Sequence, residues 1–191
     1  MPKIGMEPKR RAALVDAAIF EIGKARSLDV TVAQIARRAG MSSGLAHHYF
    51  GGKEQMLLAA MRHILAVFAG RVSEGLRQAE TPRARLEALI RANFEDHVFD
   101  PQKTSAWLSF YGMAQSNAEA ARLMQVYQRR LRSNLLHDLR FLSPNPEAVS
   151  TALGALIDGA YLRAALAGIG PNPKAAQPVL MTLDALIVDA K

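Results

Sequence analysis

The stretch Thr31–Lys53, TVAQIARRAGMSSGLAHHYFGGK, constrains this chain more than any other. It holds two short helical patterns separated by Gly40. Thr31 and Gln34 have the spacing of a capping box, which predicts a short helix running to about Ala39. Gly40 suits the left-handed conformation that ends such a helix. Ser42 is placed to cap the next helix, which runs to about Tyr49. Ala36 and Ala39 leave room for the two helices to cross closely. Gly51-Gly52 then breaks the chain before a longer helix begins near Lys53.

The remainder also reads as helix. Leu14, Ala17, Ala18 and Phe20–Ile22 give an apolar side to a first helix over 8–26, with Pro8 where a first turn tolerates proline. After the glycine pair, Leu57, Ala60, Met61, Ile64, Leu65, Phe68 and Val72 keep three- and four-residue spacing along a fourth helix. Thr81-Pro82 opens a helix to about Val98, and Asp100-Pro101 opens another. A helix over 117–141 carries Arg129, Arg130, Arg132 and Arg140 on its charged side. Ser143–Pro146 is a loop. The last two helices are expected over 147–168 and 174–189, separated by Gly168–Pro173. Alternating strand patterns and hairpin turns are absent from the sequence. The expected class is all-α, with about nine helices: a three-helix head, a connecting helix and a five-helix body. The domains are drawn at 8–68 and 69–191.

Composition narrows the function. Half of the 191 residues are hydrophobic, which argues against disorder. The apolar runs are short of the ~20 residues that span a bilayer. No apolar segment follows the charges of MPKIGMEPKRR, so no signal peptide is read there. There is no cysteine, hence no disulfide framework and no thiolate metal site. A soluble cytoplasmic protein is the simplest expectation. The net charge of +7 is unevenly placed: residues 1–53 hold nine Lys/Arg against four Asp/Glu, and residues 54–191 hold fifteen against thirteen. A polyanion-binding end joined to a nearly neutral body fits that asymmetry, although solubilising charge alone would give the same count.

Helix, tight turn, helix within a basic head is the arrangement of helix-turn-helix DNA readers, whose second helix meets base edges in the major groove. That helix begins at Ser42, and its outward candidates are Ser42, Ser43, Leu45, His47 and His48. Gly44 lets backbone approach DNA closely. Serine hydroxyls discriminate bases weakly, Leu45 can touch a thymine methyl group, and a histidine can donate to guanine. Thr31 and Lys53, each at a helix start, suit phosphate. Lys9, Arg10 and Arg11 form a basic arm for the backbone or a minor groove. Phe50 is expected in the core of the head and Tyr49 at its rim, with its hydroxyl on a phosphate. Arg37-Arg38 reads equally as a solvated face. His47 and His48 diverge by about 100° as helix neighbours, so they do not readily share a metal ion. No metal and no cofactor is expected.

Thr31, Ile35-Ala36, Ala39-Gly40, Ser42, Tyr49-Phe50 and Lys53 together resemble the DNA-binding signature of the TetR family of repressors. His47 stands where that family often has tyrosine, and Gly51-Gly52 where it has a basic or acidic pair. Further segments, QIARRAGMS, HHYF, AWLSF, RRLRSNL and LIDGAYLRAALAG, are similar to the branch that represses choline-to-glycine-betaine genes. The resemblance implies a homodimer on a two-fold operator in double-stranded DNA, with choline or a related quaternary ammonium as signal.

Two apolar stripes are candidates for the dimer: Leu153, Leu156, Ile157, Tyr161 and Leu166, and Val179, Leu180, Leu183, Leu186 and Ile187. Of these, Leu153, Leu156, Ile157, Leu183 and Leu186 are the expected interface; burial within one subunit is the alternative. For a quaternary ammonium, aromatic faces are the fitting chemistry, with a carboxylate as counter-charge. Trp107, Phe110, Tyr111 and Tyr161 are the expected ligand residues, with Asp158 or Glu95 near the cation. Asp158 could equally pair with Arg163 or with an arginine of a partner chain. An efflux-type regulator sensing another cation would keep the same head. An enzyme would need a convergent catalytic set, and the sequence has no HExxH, P-loop or GxSxG. A helical adaptor would leave the base-facing helix and basic arm unexplained.

Overall fold

The computed structural model describes residues 6–95, 101–167 and 173–187. Within them the chain forms nine α-helices and one 3-10 turn, with no strand: α1 (Met6–Ala25), α2 (Val32–Arg38), α3 (Ser43–Phe50), α4 (Lys53–Gln78), α5 (Pro82–Ala92), α6 (Pro101–Ser116), α7 (Ala118–Leu139), α8 (Pro146–Ala167), the 3-10 turn Pro173–Ala176, and α9 (Gln177–Leu186). The all-α expectation holds. The expected helix end near Val98, the aromatic Phe99 and most of the Gly168–Pro173 break lie outside the described residues.

The chain forms two compact units, Met1–Ile64 with Gln102–Leu123, and Leu65–Pro101 with Met124–Lys191, each taken over its described residues. α4 and α7 contribute to both.

In the first unit, Leu14, Ala18 and Ile22 of α1, Ile35 and Ala36 of α2, Ala46 of α3, and Met56, Leu58 and Met61 of α4 are all at 0–1% exposure. α2 and α3 are short, so local chemistry sets their ends. Thr31 Oγ1 accepts from the Gln34 amide at 3.1 Å, while Gln34 Oε1 accepts from the Thr31 amide at 2.7 Å. That is the reciprocal capping box, satisfying two backbone donors that a helix start leaves unpaired. Gly40 takes φ +68 and Gly51 φ +75, the left-handed region where a side chain is strained. A Cβ on Gly23 would stand 2.3 Å from the Gln102 carbonyl oxygen, so glycine is what lets α6 begin against α1.

In the second unit, Leu86, Leu89 and Ile90 of α5, Leu135 and Leu139 of α7, Leu153 and Ile157 of α8, and Val179 and Leu183 of α9 are at 0–1% exposure. Thr81 caps α5 by accepting from the Ala84 amide at 3.1 Å, with Pro82 in the first turn. Arg83 donates from Nε to Asp184 at 3.0 Å, tying α5 to α9. The last helix is shorter than the expected 174–189. Pro178 sits in its first turn and Ile187 is extended at φ −99, ψ 149.

α4 alone among the described helices is long and apolar enough, by length and composition, to cross a membrane. It also carries Arg62, His63 and Arg71, and its Leu57, Leu58 and Met61 are at 0–5% exposure in protein core.

Candidate functional site

α3 divides into two faces. Ala46 and Tyr49 point into the first unit, whereas Ser42, Ser43, Gly44, His47 and His48 are exposed and Leu45 is half-buried. Positions 43, 44, 47 and 48 are neighbours at three- and four-residue spacing, so they form one continuous outward strip. Ser42 Oγ accepts from the Leu45 amide at 3.2 Å, which leaves its hydroxyl hydrogen directed elsewhere. A Cβ on Gly44 would meet nothing within 4 Å. The fold therefore does not require glycine there, although glycine costs a helix interior about 1 kcal/mol relative to alanine.

Around this strip the structure gathers Arg10, Arg11 and Tyr49. Arg10 Nη1 donates to the Tyr49 hydroxyl at 3.4 Å. The Arg11 guanidinium lies 5.1 Å from the centre of the Phe50 ring and 5.8 Å from that of Tyr49, within reach of cation–π attraction. Two sequence expectations change here. The basic segment is not an extended arm: Lys9, Arg10 and Arg11 are in the first turns of α1. The roles of the two aromatics are also exchanged. Tyr49 is buried at 9% exposure and Phe50 is half-exposed, because position 49 falls with Ala46 on the inward face of α3. Thr31 is exposed at the start of α2, with its hydroxyl donating to Gln34 Oε1 at 3.0 Å. Lys53 is half-buried as the first residue of α4. Arg38, for which the sequence left a solvated face as one of two equal readings, pairs with Glu21 and stacks 3.3 Å above the Phe20 ring while its side chain stays 36% exposed. Arg37 stays exposed.

The expected ligand residues fall in both units. In the first, Trp107 and Tyr111 make an edge-on pair with ring centres 5.7 Å apart, and Trp107 is at 7% exposure. Phe110 is at 0% exposure and offers a ligand no surface; one helical step from Trp107, it faces the core. In the second unit Tyr161 packs with Phe94, ring centres 6.2 Å apart, Asp158 is half-buried, and Glu95 is exposed. A separate cavity of about 430 Å³ lies in the second unit between α4 and α7, and none of the expected ligand residues lines it.

The expected dimer stripe also divides. Leu153, Ile157 and Leu183 are at 0% exposure within one chain, so they have no surface left for a partner; subunit burial is the correct reading for all three. Leu156 is half-buried and Leu186 is 40% exposed. The open apolar seam runs beside them along α8: Ala148, Ala152, Ala155, Gly159, Leu162 and Leu166, spaced by four and three residues in turn. Leu162 and Leu166 are 47% and 78% exposed, and Met181 on α9 is 62% exposed. The seam's small residues had hidden it behind the larger leucines of the stripe.

Two stretches of the chain match known families. Residues 14–60 match the model of bacterial regulatory proteins of the tetR family, and residues 82–187 match that of the BetI-type transcriptional repressor C-terminal region. The chain is 48% identical over 178 residues to the HTH-type transcriptional regulator BetI of Brucella anthropi, covering 92% of each. It is 51% identical over 168 residues to that of Rhizobium meliloti, covering 87% of this chain and 83% of the relative. Among solved structures, a transcriptional regulator from Saccharomonospora viridis in complex with choline superposes with a TM-score of 0.86 at 20% identity, over 95% of this chain and 99% of that one. A TetR transcription regulator from Haloarcula marismortui gives 0.83 at 19%, over 95% and 100%. At those identities the likeness is one of fold.

Proposed function

The chain belongs to the TetR family of DNA-binding transcriptional regulators, with a BetI-type C-terminal region, and is not an enzyme; from that premise we propose that it represses genes for converting choline to glycine betaine and leaves its operator when choline binds. The observation that carries this reading is identity near one half to regulators of that type across the C-terminal region as well as the head. The choline in the Saccharomonospora viridis structure supports the ligand class.

The head, 8–68, reads DNA through the outward strip of α3. Ser43, Gly44, His47 and His48 face the bases, with Ser42 and Leu45 at the near end of the strip. Thr31, Lys53, Arg10 and Arg11 meet phosphates. The body, 69–191, binds ligand and dimerises. Two chains join along the α8 seam with Leu156, Met181 and Leu186, placing two heads on a two-fold site whose half-sites are roughly 34–36 Å apart or a multiple of that. A bacterial operator as partner places the protein in the cytoplasm.

For the quaternary ammonium each unit offers its own candidate place: the ring faces of Trp107 and Tyr111 in the first, and that of Tyr161 with Asp158 as the opposite charge in the second. Choline must favour the arrangement of the dimer that fits the operator poorly, since a ligand shifts an equilibrium only by its differential affinity. A gel shift on the region upstream of the protein's own gene tests the whole reading. Retardation that millimolar choline reverses is expected; retardation unchanged by choline, but reversed by lipophilic cations, would replace choline with another cationic signal.

A further inference from the structure

The cavity between α4 and α7 carries a charge opposite to the one a quaternary ammonium site needs. One wall is a continuous face of α4, with Leu65, Phe68, Val72 and Leu76 at three- and four-residue spacing. The facing wall is α7, where Tyr127, Arg130 and Asn134 recur at the same spacing. Leu89 of α5 is also part of the lining. No lining residue is acidic, and Arg130 has no ion pair among the described residues. Its neighbours on α7 are engaged: Arg132 with Glu147, and Arg129 through Nε with the Gln125 carbonyl at 3.3 Å. Glu74, near the α4 wall, is held by Arg77 and by Gln78.

We propose that this cavity binds a single-chain acyl carboxylate, with its carboxylate on Arg130 and Asn134 and its tail along α4. A volume of about 430 Å³ falls in the range of small-molecule sites. From Leu65 to Leu76 the α4 wall extends ~16 Å at the rise of an α-helix, enough for a medium-length acyl chain. The guanidinium fork matches a carboxylate in bidentate geometry. The same guanidinium repels choline, so this site is independent of the choline reading and extends beyond it. A tail seated here lies against the helix whose first residue is Lys53.

Calorimetric titration of the full-length protein tests the assignment, using dodecanoate, dodecyltrimethylammonium and choline, each below its micelle concentration. Saturable binding of dodecanoate, one per chain and at least tenfold tighter than its cationic counterpart, is expected. Arg130→Gln, an exposed position, should weaken dodecanoate at least tenfold and leave the choline isotherm unchanged. Ala69→Leu, which narrows the cavity, should weaken dodecanoate as well, with thermal unfolding confirming that both variants are folded. Equal affinity for the two tails, an unaffected Arg130→Gln variant, or no dodecanoate binding would each overturn the assignment. Failure of choline to bind would bear on the proposed effector alone.

Discussion

Arg85 holds Asp138 from one side only. Arg85 Nε donates to Asp138 Oδ1 at 2.9 Å, and its Nη1 donates to the Leu76 carbonyl at 2.9 Å, joining α5, α7 and the last turns of α4. The Asp138 side chain is 3% exposed against 28% for Arg85, and Asp138 Oδ2 has no hydrogen-bond partner among the described residues. The asymmetry decides which loss is worse. Arg85→Met strands a carboxylate away from water and should destabilise the protein by about 3–5 kcal/mol. Asp138→Leu leaves an arginine that can turn to solvent and should cost clearly less. The double variant should recover most of the loss. Urea unfolding of the three variants measures the order, and equal destabilisation by the two single changes would contradict it.

Gly44 gives the sharpest test of the DNA-reading face. Because a methyl group there meets nothing within 4 Å, Gly44→Ala should stabilise the free protein by up to about 1 kcal/mol. The same methyl group stands on the outward strip, so operator affinity should fall. Thermal unfolding and gel shift on one preparation separate the two effects. Tighter or unchanged operator binding would remove Gly44 from the interface.

His47 and Lys53 should fail in different ways. His47→Ala removes a base-edge contact, which should cost about 1–3 kcal/mol and narrow the gap between operator and mismatched DNA. Lys53→Ala removes a phosphate contact, weakening all sequences alike and lowering the salt slope by about one unit. Binding titrations across a salt series distinguish them; identical slopes and specificity in both variants would void the division of roles.

Much of the head was legible in the sequence because its helices begin and end on local chemistry. The Thr31–Gln34 box, the Ser42 cap and the left-handed Gly40 act within a few residues, and all three appear as expected. What was not legible depends on which way a face turns. Tyr49 and Phe50 are adjacent and both aromatic, so only the packing of α3 against its unit decides that Tyr49 goes inward. The dimer stripe divided for a related reason: Leu153, Ile157 and Leu183 have the spacing of an interface, but the same spacing serves a core. The outer seam is made largely of alanine and glycine, which hydrophobicity ranks low. The α4–α7 cavity pairs residues some sixty positions apart, and no local pattern announces such a pair. The partners of Arg38, Glu21 and Phe20, lie on a different helix, so the sequence left its role open.

The α8 seam predicts a separation between assembly and stability. Leu166→Glu or Met181→Glu should shift the protein from dimer to monomer in sedimentation velocity with little effect on chain unfolding, since both side chains are exposed. Leu153→Ala, in the core at 0% exposure, should instead cost about 2–5 kcal/mol of stability. A dimer that survives both glutamate substitutions would place the interface elsewhere.

For the effector, Trp107→Leu or Tyr161→Leu, according to the unit that holds the cation, should weaken choline by an amount equivalent to ~0.5–2 kcal/mol, the range of one cation–π contact. Phe110→Leu should change unfolding but leave choline affinity as it is, because that ring is enclosed. Calorimetry on the three variants checks this, and a loss confined to Phe110→Leu would invert the assignment.

The recognition helix α3 is only eight residues long and includes a glycine that the fold does not require. Helices of that length are marginal on their own in water. Its order is borrowed from the Ser42 cap and from two buried side chains, Ala46 and Tyr49. The surface proposed to read the operator is thus among the segments easiest to open by local unfolding. Its amides should exchange with deuterium early in the free protein and become protected on the operator, so that part of the operator's specificity is spent on ordering its reader.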